Sequence, residues 1–235
     1  MNRVYYIFLL SLTILYTSEL KCQEFEGKIV YKTYTTKSKN IPDTIFSDTL
    51  LNTIYNNTVF KDTDTNFLKT IYYIKKLKSK RLTYSNKEDA INSIYLCSDD
   101  PNIYFFYFEN QNELCWKVNT EKINKTIISK KINTKDTIEV LGKKCSSITL
   151  KYSNMSIIKL YFSIDFKVDI EYKDKYCDDI FEYMYICKAI PLKIIEYGVM
   201  NNQEYIAIEI KKEKIKNKIY KVPEFNKVLE MDKSY

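Results

Sequence analysis

The stretch FEGKIVYKTYT, residues 25–35, carries the clearest strand pattern in the chain. One face of an extended backbone would hold its apolar and small residues, and the other mostly charged ones. The first set is Phe25, Gly27, Ile29, Tyr31 and Thr33. Such alternation is typical of an antiparallel strand with one face in a core and the other toward water. The pattern therefore predicts a mainly β protein.

Further along the chain, pairs of apolar runs are separated by short polar turns, which is the pattern of hairpins. The predicted pairs are 103–108 with 113–118, 147–152 with 157–163, and 191–197 with 204–211. One more strand is predicted over 215–222, where Pro223 ends it. Consecutive hairpins form a meander, and a long meander curls. We therefore expect a curved antiparallel sheet, in the form of a half-barrel.

Two segments interrupt the strand pattern. Residues 175–188 have apolar side chains at helical spacing, with Asp178 and Asp179 near the start, where the helix dipole favours acids. Residues 43–69 mix polar stretches with apolar clusters and are predicted to form a short helix and a loop. We expect one or two helices to cover the concave face of the sheet.

The composition supports a packed core, since 45% of the 235 residues are hydrophobic and 15% are aromatic. A chain of this length suits one β-domain, and no repeat or low-complexity linker divides it. The predicted domain covers residues 23–235. Because the chain has only three glycines, turns that need a positive φ are predicted to use mostly Asn and Asp.

The first 22 residues have the layout of a secretory signal peptide. Arg3 provides a positive start, residues 4–16 are uncharged and apolar, and a polar stretch ends at Cys22. The apolar run is short for a bilayer span. We therefore expect cleavage near Gln23 and a mature protein that is periplasmic or secreted. An outer-membrane lipoprotein anchored through Cys22 is the alternative, and an uncleaved signal-anchor is the third.

Two lysine-rich clusters, residues 75–81 and 211–216, stand out in a chain whose net charge is +7. Such clusters attract nucleic acid or an anionic membrane surface. Export argues against nucleic acid, so no such partner is expected. Solvated strand faces and loops explain the lysines more simply, and peripheral contact with a membrane surface stays open.

Five cysteines follow residue 22, and no CxxC motif occurs among them: Cys97, Cys115, Cys145, Cys177 and Cys187. This spacing indicates neither a redox motif nor a zinc site. We expect one or two disulfides and a buried remaining thiol, or else an odd thiol that pairs between chains. If residues 175–188 form one helix, Cys177 and Cys187 lie about 15 Å apart. That exceeds the roughly 7 Å that a disulfide allows between Cα atoms, so any bridge is predicted to use Cys97, Cys115 or Cys145.

The chain lacks residues on which many enzyme sites depend. It contains no histidine, which excludes Ser-His-Asp and Cys-His catalysis and His-ligated metal. Residues 62–66 imitate the start of a calcium loop without its glycine and final glutamate. Two acid pairs, 99–100 and 178–179, suggest a glycoside hydrolase only weakly, because adjacent acids usually face water. We predict no catalytic residue, no cofactor and no metal, and we expect Trp116 to be a core residue.

Several short motifs together resemble the GLPGLI family of exported proteins from Gram-negative bacteria. They are residues 25–31 (FEGKIVY), 136–137 (DT), 141–145 (LGKKC), 189–194 (AIPLKI) and 219–225 (IYKVPEF). The likeness runs in order from residue 24 to about 230, although Ala189 and Leu192 replace the two glycines of the family's hexapeptide. This family in turn resembles the lipoprotein-carrier (LolA-like) superfamily. The resemblance implies a curved half-barrel with helices over its concave side and a cavity for an apolar ligand.

We predict an exported, non-enzymatic binding module for an apolar small molecule or lipid-like ligand held against the concave face. The candidate ligand-binding residues are Ile29, Tyr31, Ile148, Leu150, Leu160, Phe162, Ile206 and Ile208. If the helix packs directly on these residues, the result is a filled core and an interaction or structural protein of the envelope. A hydrolase that uses carboxylates alone is the third hypothesis.

Overall fold

The computed structural model describes residues 25–37, 68–84, 91–97, 99–100, 102–109, 113–120, 126–154, 156–173, 176–198 and 201–231. The strands are β1 (Glu26–Lys37), β2 (Leu68–Lys75), β3 (Lys78–Tyr84), β4 (Ile91–Cys97), β5 (Ile103–Tyr107), β6 (Leu114–Asn119), β7 (Ile127–Val140), β8 (Lys143–Tyr152), β9 (Ile157–Lys167), β10 (Ala189–Tyr197), β11 (Asn201–Lys212) and β12 (Lys227–Met231). The helices are α1 (Asp179–Cys187) and a 3-10 helix (Asn217–Tyr220). The predicted signal peptide, the calcium-like run and most of the segment 43–69 lie outside the described residues.

All twelve strands form one sheet in the order β12-β6-β5-β4-β3-β2-β1-β11-β10-β9-β8-β7. Neighbouring strands are antiparallel except β12 and β6, which run parallel. Most neighbours follow each other in the chain, because hairpins connect them, and the β1–β11 pair joins the two halves. A long, curved, unclosed sheet with one helix in the described part of the chain confirms the predicted half-barrel.

The three predicted hairpins are confirmed as β5–β6, β8–β9 and β10–β11. In the part of the chain that the structure describes, the prediction that Asn and Asp supply most positive-φ turn positions is wrong. Within the described residues, positive φ at non-glycine positions occurs at Lys76, Leu141 and Lys188. Leu141 and Gly142 form the turn between β7 and β8, and both have positive φ, as a tight two-residue hairpin loop requires. The geometry of the short connection imposes this conformation even on a leucine.

Strand β1 lies in the middle of the sheet, between β2 and β11. Ile29, Tyr31 and Thr33 are buried on one face, called here the inner face, which confirms the predicted alternation. Val30 is buried on the opposite, outer face. A side chain at Gly27 would collide with the backbone carbonyl of β11, which explains a glycine inside this strand. Both faces of the central strand are therefore covered.

Helix α1 packs on β9 and β10 and closes the main core on the inner face. Asp178 caps the helix, because its carboxylate accepts a hydrogen bond from the backbone N–H of Ile180 at 3.2 Å. The buried side of the helix consists of Ile180, Phe181, Tyr183, Met184 and Cys187. The helix is shorter than predicted, since it begins at Asp179 rather than at residue 175.

The C-terminal segment covers the outer face, and the strand predicted over 215–222 is wrong. After β11 the chain crosses the sheet as irregular backbone and the 3-10 helix, and it ends in β12 at the far edge. Ile215 and Tyr220 pack there against Val30 and Leu82. The apolar residues that alternate with lysines in this segment pack on the outer face of the sheet. The alternation therefore arises without the segment being a strand of the sheet.

A disulfide joins Cys97, at the end of β4, to Cys177, just before α1, with Cα atoms 5.9 Å apart. Cys115, Cys145 and Cys187 are buried thiols. The predictions that Cys177 and Cys187 do not pair and that the bridge uses one of the upstream cysteines are confirmed. The bridge attaches the start of the helix to the half of the sheet that the helix does not cover.

Candidate functional site

The apolar face predicted to bind a ligand is filled by the protein's own side chains. Five of its eight residues lie in the main core and are at most 2% exposed: Ile29, Tyr31, Ile148, Leu150 and Leu160. Phe162 and Ile206 are partly buried against the same core, whereas Ile208 is 45% exposed. None of the eight lines the cavity described below. Their position is a correction to the predicted site, because α1 packs directly on this core.

The strand register explains why Ile206 and Ile208 differ from the other six. The β1–β11 pair contains a bulge, and Tyr31 pairs with Ala207 while Lys32 pairs with Ile206. Because directly opposite residues share a face of the sheet, Ala207 belongs to the inner face and Ile206 does not. The alternation within a single strand does not indicate this register.

A cavity of about 450 Å³ lies on the inner face beside the start of α1. Strands β1 to β5, β10 and β11 supply its walls, and α1 supplies the residues at its own N-terminal end. The lining is rich in hydroxyl and carboxyl groups, such as those of Thr33, Thr70, Ser93, Asp179 and Glu196. Small-molecule sites commonly measure roughly 300–1,000 Å³, so the cavity has room for a ligand.

Arg81 is the cationic side chain among the residues that line the cavity. Its Nη1 donates a hydrogen bond to the Tyr72 hydroxyl at 3.1 Å, and the guanidinium lies over the Tyr95 ring at 3.9 Å from the centroid. Its Nε–H is buried and lacks a hydrogen-bond partner among the described residues. A buried donor without a partner is unfavourable by roughly 1–3 kcal/mol, and an acceptor group on a ligand would relieve that penalty.

Asp178 connects the helix to the opposite wall. It is 8% exposed, and besides capping α1 it accepts a hydrogen bond from the Ser79 hydroxyl on β3 at 3.2 Å. Burial raises the pKa of this carboxyl, and the charge of Arg81 opposes that shift only in part. Asp178 therefore links α1 to β3 through hydrogen bonds, although burial disfavours its charged form.

Tyrosines supply the neutral polar groups of the site. The Tyr183 hydroxyl donates to Glu196 at 3.3 Å, and the Tyr205 hydroxyl donates to Gln203 at 2.6 Å. Burial raises the pKa of Tyr72, Tyr183 and Tyr205, so these phenols keep their protons at neutral pH. They can donate to or accept from a ligand without adding charge.

A row of aromatic side chains leads out of the cavity across β4, β5 and β6. Tyr95, Phe106 and Trp116 pair directly across these strands, with ring centroids 4.6 Å and 5.4 Å apart. Phe108 packs against both Phe106 and Trp116 at the end of the row. All four side chains are only partly buried, and neither of the two hydrophobic cores includes them. We call these four residues the aromatic row.

The expectation that Trp116 is a core residue is therefore wrong. Trp116 lies on the inner face of β6, where the described chain has no helix, while its neighbour Cys115 faces the outer core. The sequence predicted the strands that carry Phe106 and Trp116 but not β4, which carries Tyr95, and the alignment of the three rings depends on strand register. The sequence also placed Arg81 in a lysine-rich cluster, although alternation places this side chain on the other face from Lys80.

Three carboxylates, those of Asp178, Asp179 and Glu196, line the cavity. Among the described residues, no group of three or more Cys, Asp or Glu side chains has the geometry to hold a metal ion. In the same part of the chain, no helix is long and apolar enough to cross a membrane. The fold and the site together define a β half-barrel with a ligand-sized polar cavity and an adjoining aromatic row.

No protein-family model and no curated protein matches this chain. The solved structures that are similar to it in part include the following two. PNGF-II is 14% identical over 87% of this chain with a TM-score of 0.41, and this chain spans 32% of that one. A DUF1329 family protein from Desulfovibrio piger is 7% identical over 90% of this chain and 94% of its own length, with a TM-score of 0.35.

Proposed function

We propose that this chain is a non-enzymatic binding module for a small amphipathic, lipid-like ligand. The polar end of the ligand enters the cavity beside Arg81, and its apolar part lies along the aromatic row. The observation that carries the proposal is the continuity of the two features, because Tyr95 both lines the cavity and begins the row.

The aromatic row supplies the affinity for the apolar part. Its rings pack against one another at tilted or edge angles and together form an apolar strip that adjoins the cavity at Tyr95. Covering such a strip releases water, and each CH₂ group of a ligand that becomes buried adds about 0.8 kcal/mol to binding. A chain of several CH₂ groups then exceeds the entropic cost of association.

Export to the cell envelope and kinship with the GLPGLI family belong to the same proposal. Residues 1–22 support export through their charge and apolar pattern, and the ordered motifs from residue 25 to 225 support the family. An envelope protein has ready access to amphipathic molecules. The periplasmic or secreted location and the lipid-like ligand are therefore compatible.

A fluorescent fatty acid tests the proposal through the single tryptophan of the chain. Because Trp116 lies in the row, ligand binding is expected to change its emission. Phe106→Ala is expected to weaken binding about tenfold, since a large aromatic contact is lost. Tyr172→Ala is the matched control, because Tyr172 is 61% exposed and is not part of the cavity or the row.

Native mass spectrometry of the protein purified from its own envelope provides a second readout. A co-purified lipid in the wild type that is depleted in Phe106→Ala would support the proposal. If the wild type neither carries lipid nor takes up the fatty acid, the proposed ligand class is wrong. An interaction protein with a filled core then becomes the better interpretation.

A carboxylate hydrolase is the second candidate, because three acids line one cavity. Two of them already serve the fold, since Asp178 caps α1 and Glu196 accepts a hydrogen bond from Tyr183. Glu196→Gln separates the two candidates. Loss of hydrolysis of a chromogenic glycoside, with fatty-acid binding retained, would favour the hydrolase.

A further inference from the structure

The two lysine-rich clusters of the sequence meet at one end of the sheet. The β2–β3 hairpin brings the first cluster to the chain that leaves β11, which carries the second. Glu26 accepts a hydrogen bond from the backbone N–H of Ile215 at 2.6 Å, and the Lys75 ammonium donates to the Ile215 carbonyl at 3.1 Å. Lys214 and Lys216 flank Ile215 and are exposed. Segments far apart in the sequence thus share one surface.

Acidic residues neutralise only part of this surface. Lys28, Lys75 and Lys211 pair with glutamates at 3.2 Å, 3.4 Å and 2.8 Å. Four further lysines of the two clusters are exposed and form no ion pair within the described part of the chain: Lys76, Lys212, Lys214 and Lys216. We call these four residues the lysine surface.

We propose that the lysine surface docks the protein on an anionic membrane surface. Its charges are all exposed ammonium groups, which suit the diffuse negative charge of lipid headgroups better than a bidentate site for one phosphate. Each lysine near such a surface strengthens binding about fivefold. The proposal is independent of the ligand in the cavity, because the surface lies outside the cavity lining.

Co-sedimentation of the full mature chain with vesicles tests the proposal. Binding is expected to phosphatidylcholine vesicles that contain phosphatidylglycerol, to be absent without it, and to fall as salt rises. The triple variant Lys212→Gln, Lys214→Gln, Lys216→Gln is expected to bind roughly a hundredfold more weakly. The matched control is Lys130→Gln, Lys131→Gln, Lys135→Gln on β7, which removes the same charge from three exposed lysines elsewhere.

An equal loss in both triple variants would show that net charge, and no particular surface, drives binding. Retention of wild-type binding by the Lys212 triple variant, or no binding of the wild type to anionic vesicles, would overturn the proposal. Binding of the wild type to single-stranded DNA but not to vesicles would also overturn it. Circular dichroism of both variants confirms that these exposed substitutions leave the fold intact.

Discussion

Among single residues, Asp178 stabilises the start of α1 through hydrogen bonds, but the burial of its charge is unfavourable. Its carboxylate caps α1 and accepts a hydrogen bond from Ser79, but burial raises its pKa in spite of Arg81. A carboxyl whose pKa is higher in the folded than in the unfolded chain stabilises the fold below its unfolded value, near 3.9. That stabilisation is lost as the pH rises through the pKa of the carboxyl in the folded chain.

Asp178→Asn is therefore expected to flatten the pH dependence of stability. Asparagine keeps the cap and the acceptor oxygen but does not ionise. The wild type should gain stability relative to the variant as the pH falls toward 3.9, by about 1.4 kcal/mol for each pKa unit between the folded and unfolded states. Urea unfolding of both proteins over a series of pH values measures this difference. Parallel profiles would show that the carboxyl titrates normally in the folded state.

Leu160 tests whether the inner face is filled. It is fully buried in the main core, so Leu160→Ala is expected to lower the free energy of unfolding by about 2–5 kcal/mol. Ile164 lies on the same strand and is 70% exposed, so Ile164→Ala should change the free energy of unfolding by less than about 0.5 kcal/mol. Chemical denaturation gives both values. A small effect at Leu160 would instead indicate an open pocket at that position.

At the scale of elements, helix α1 depends on three attachments. Its apolar side packs into the main core, Asp178 joins it to β3, and Cys177 joins it to β4. The last two attachments reach β3 and β4, two strands that also supply residues to the cavity lining. The disulfide therefore connects the start of α1 to a strand that forms part of the cavity wall.

Replacing both Cys97 and Cys177 by alanine is expected to lower the free energy of unfolding by about 2–4 kcal/mol, because the bridge closes a long loop in the unfolded chain. Thermal unfolding with and without a reducing agent measures the effect. The reductant should destabilise the wild type by a similar amount and leave the double variant unchanged. Peptide mapping that found a Cys177–Cys187 bridge would contradict this disulfide and the continuous helix.

At the scale of the whole molecule, different parts of the chain cover the two faces of one sheet. Helix α1 closes the inner face over β9 and β10, and the C-terminal segment closes the outer face over the other half. Among the described residues, no helix covers the inner face of β4 to β6, where the aromatic row is partly exposed. The candidate site therefore lies on the part of the inner face that α1 does not cover.

The mature protein is expected to begin at or near Gln23 and to stay soluble without detergent. The basis is the short positive start and apolar run of residues 1–22, which a signal peptidase would remove. N-terminal sequencing of protein from the native envelope measures this. An intact Met1 in the membrane fraction would contradict it, and a diacylated Cys22 would favour the lipoprotein alternative.

Features that depend on near neighbours in the chain were predictable from the sequence alone. Alternation over residues 25–35 predicted β1 and its buried face, polar turns predicted three hairpins, and the acids at 178–179 marked the start of α1. These signals are readable because strand period, turn conformation and helix capping involve residues a few positions apart.

Which faces are filled, and where the candidate site lies, depend on contacts between segments that are distant in the sequence. The bulge that removed Ile206 from the inner face, the pairing that aligned Tyr95 with Phe106 and Trp116, and the meeting of two lysine clusters all join distant segments. Residues 215–222 show the same limit, because their alternation fits a strand and a segment lying on a sheet equally well. Local periodicity indicates on which side of a strand each side chain lies. Strand register and packing determine which other residues that side chain contacts.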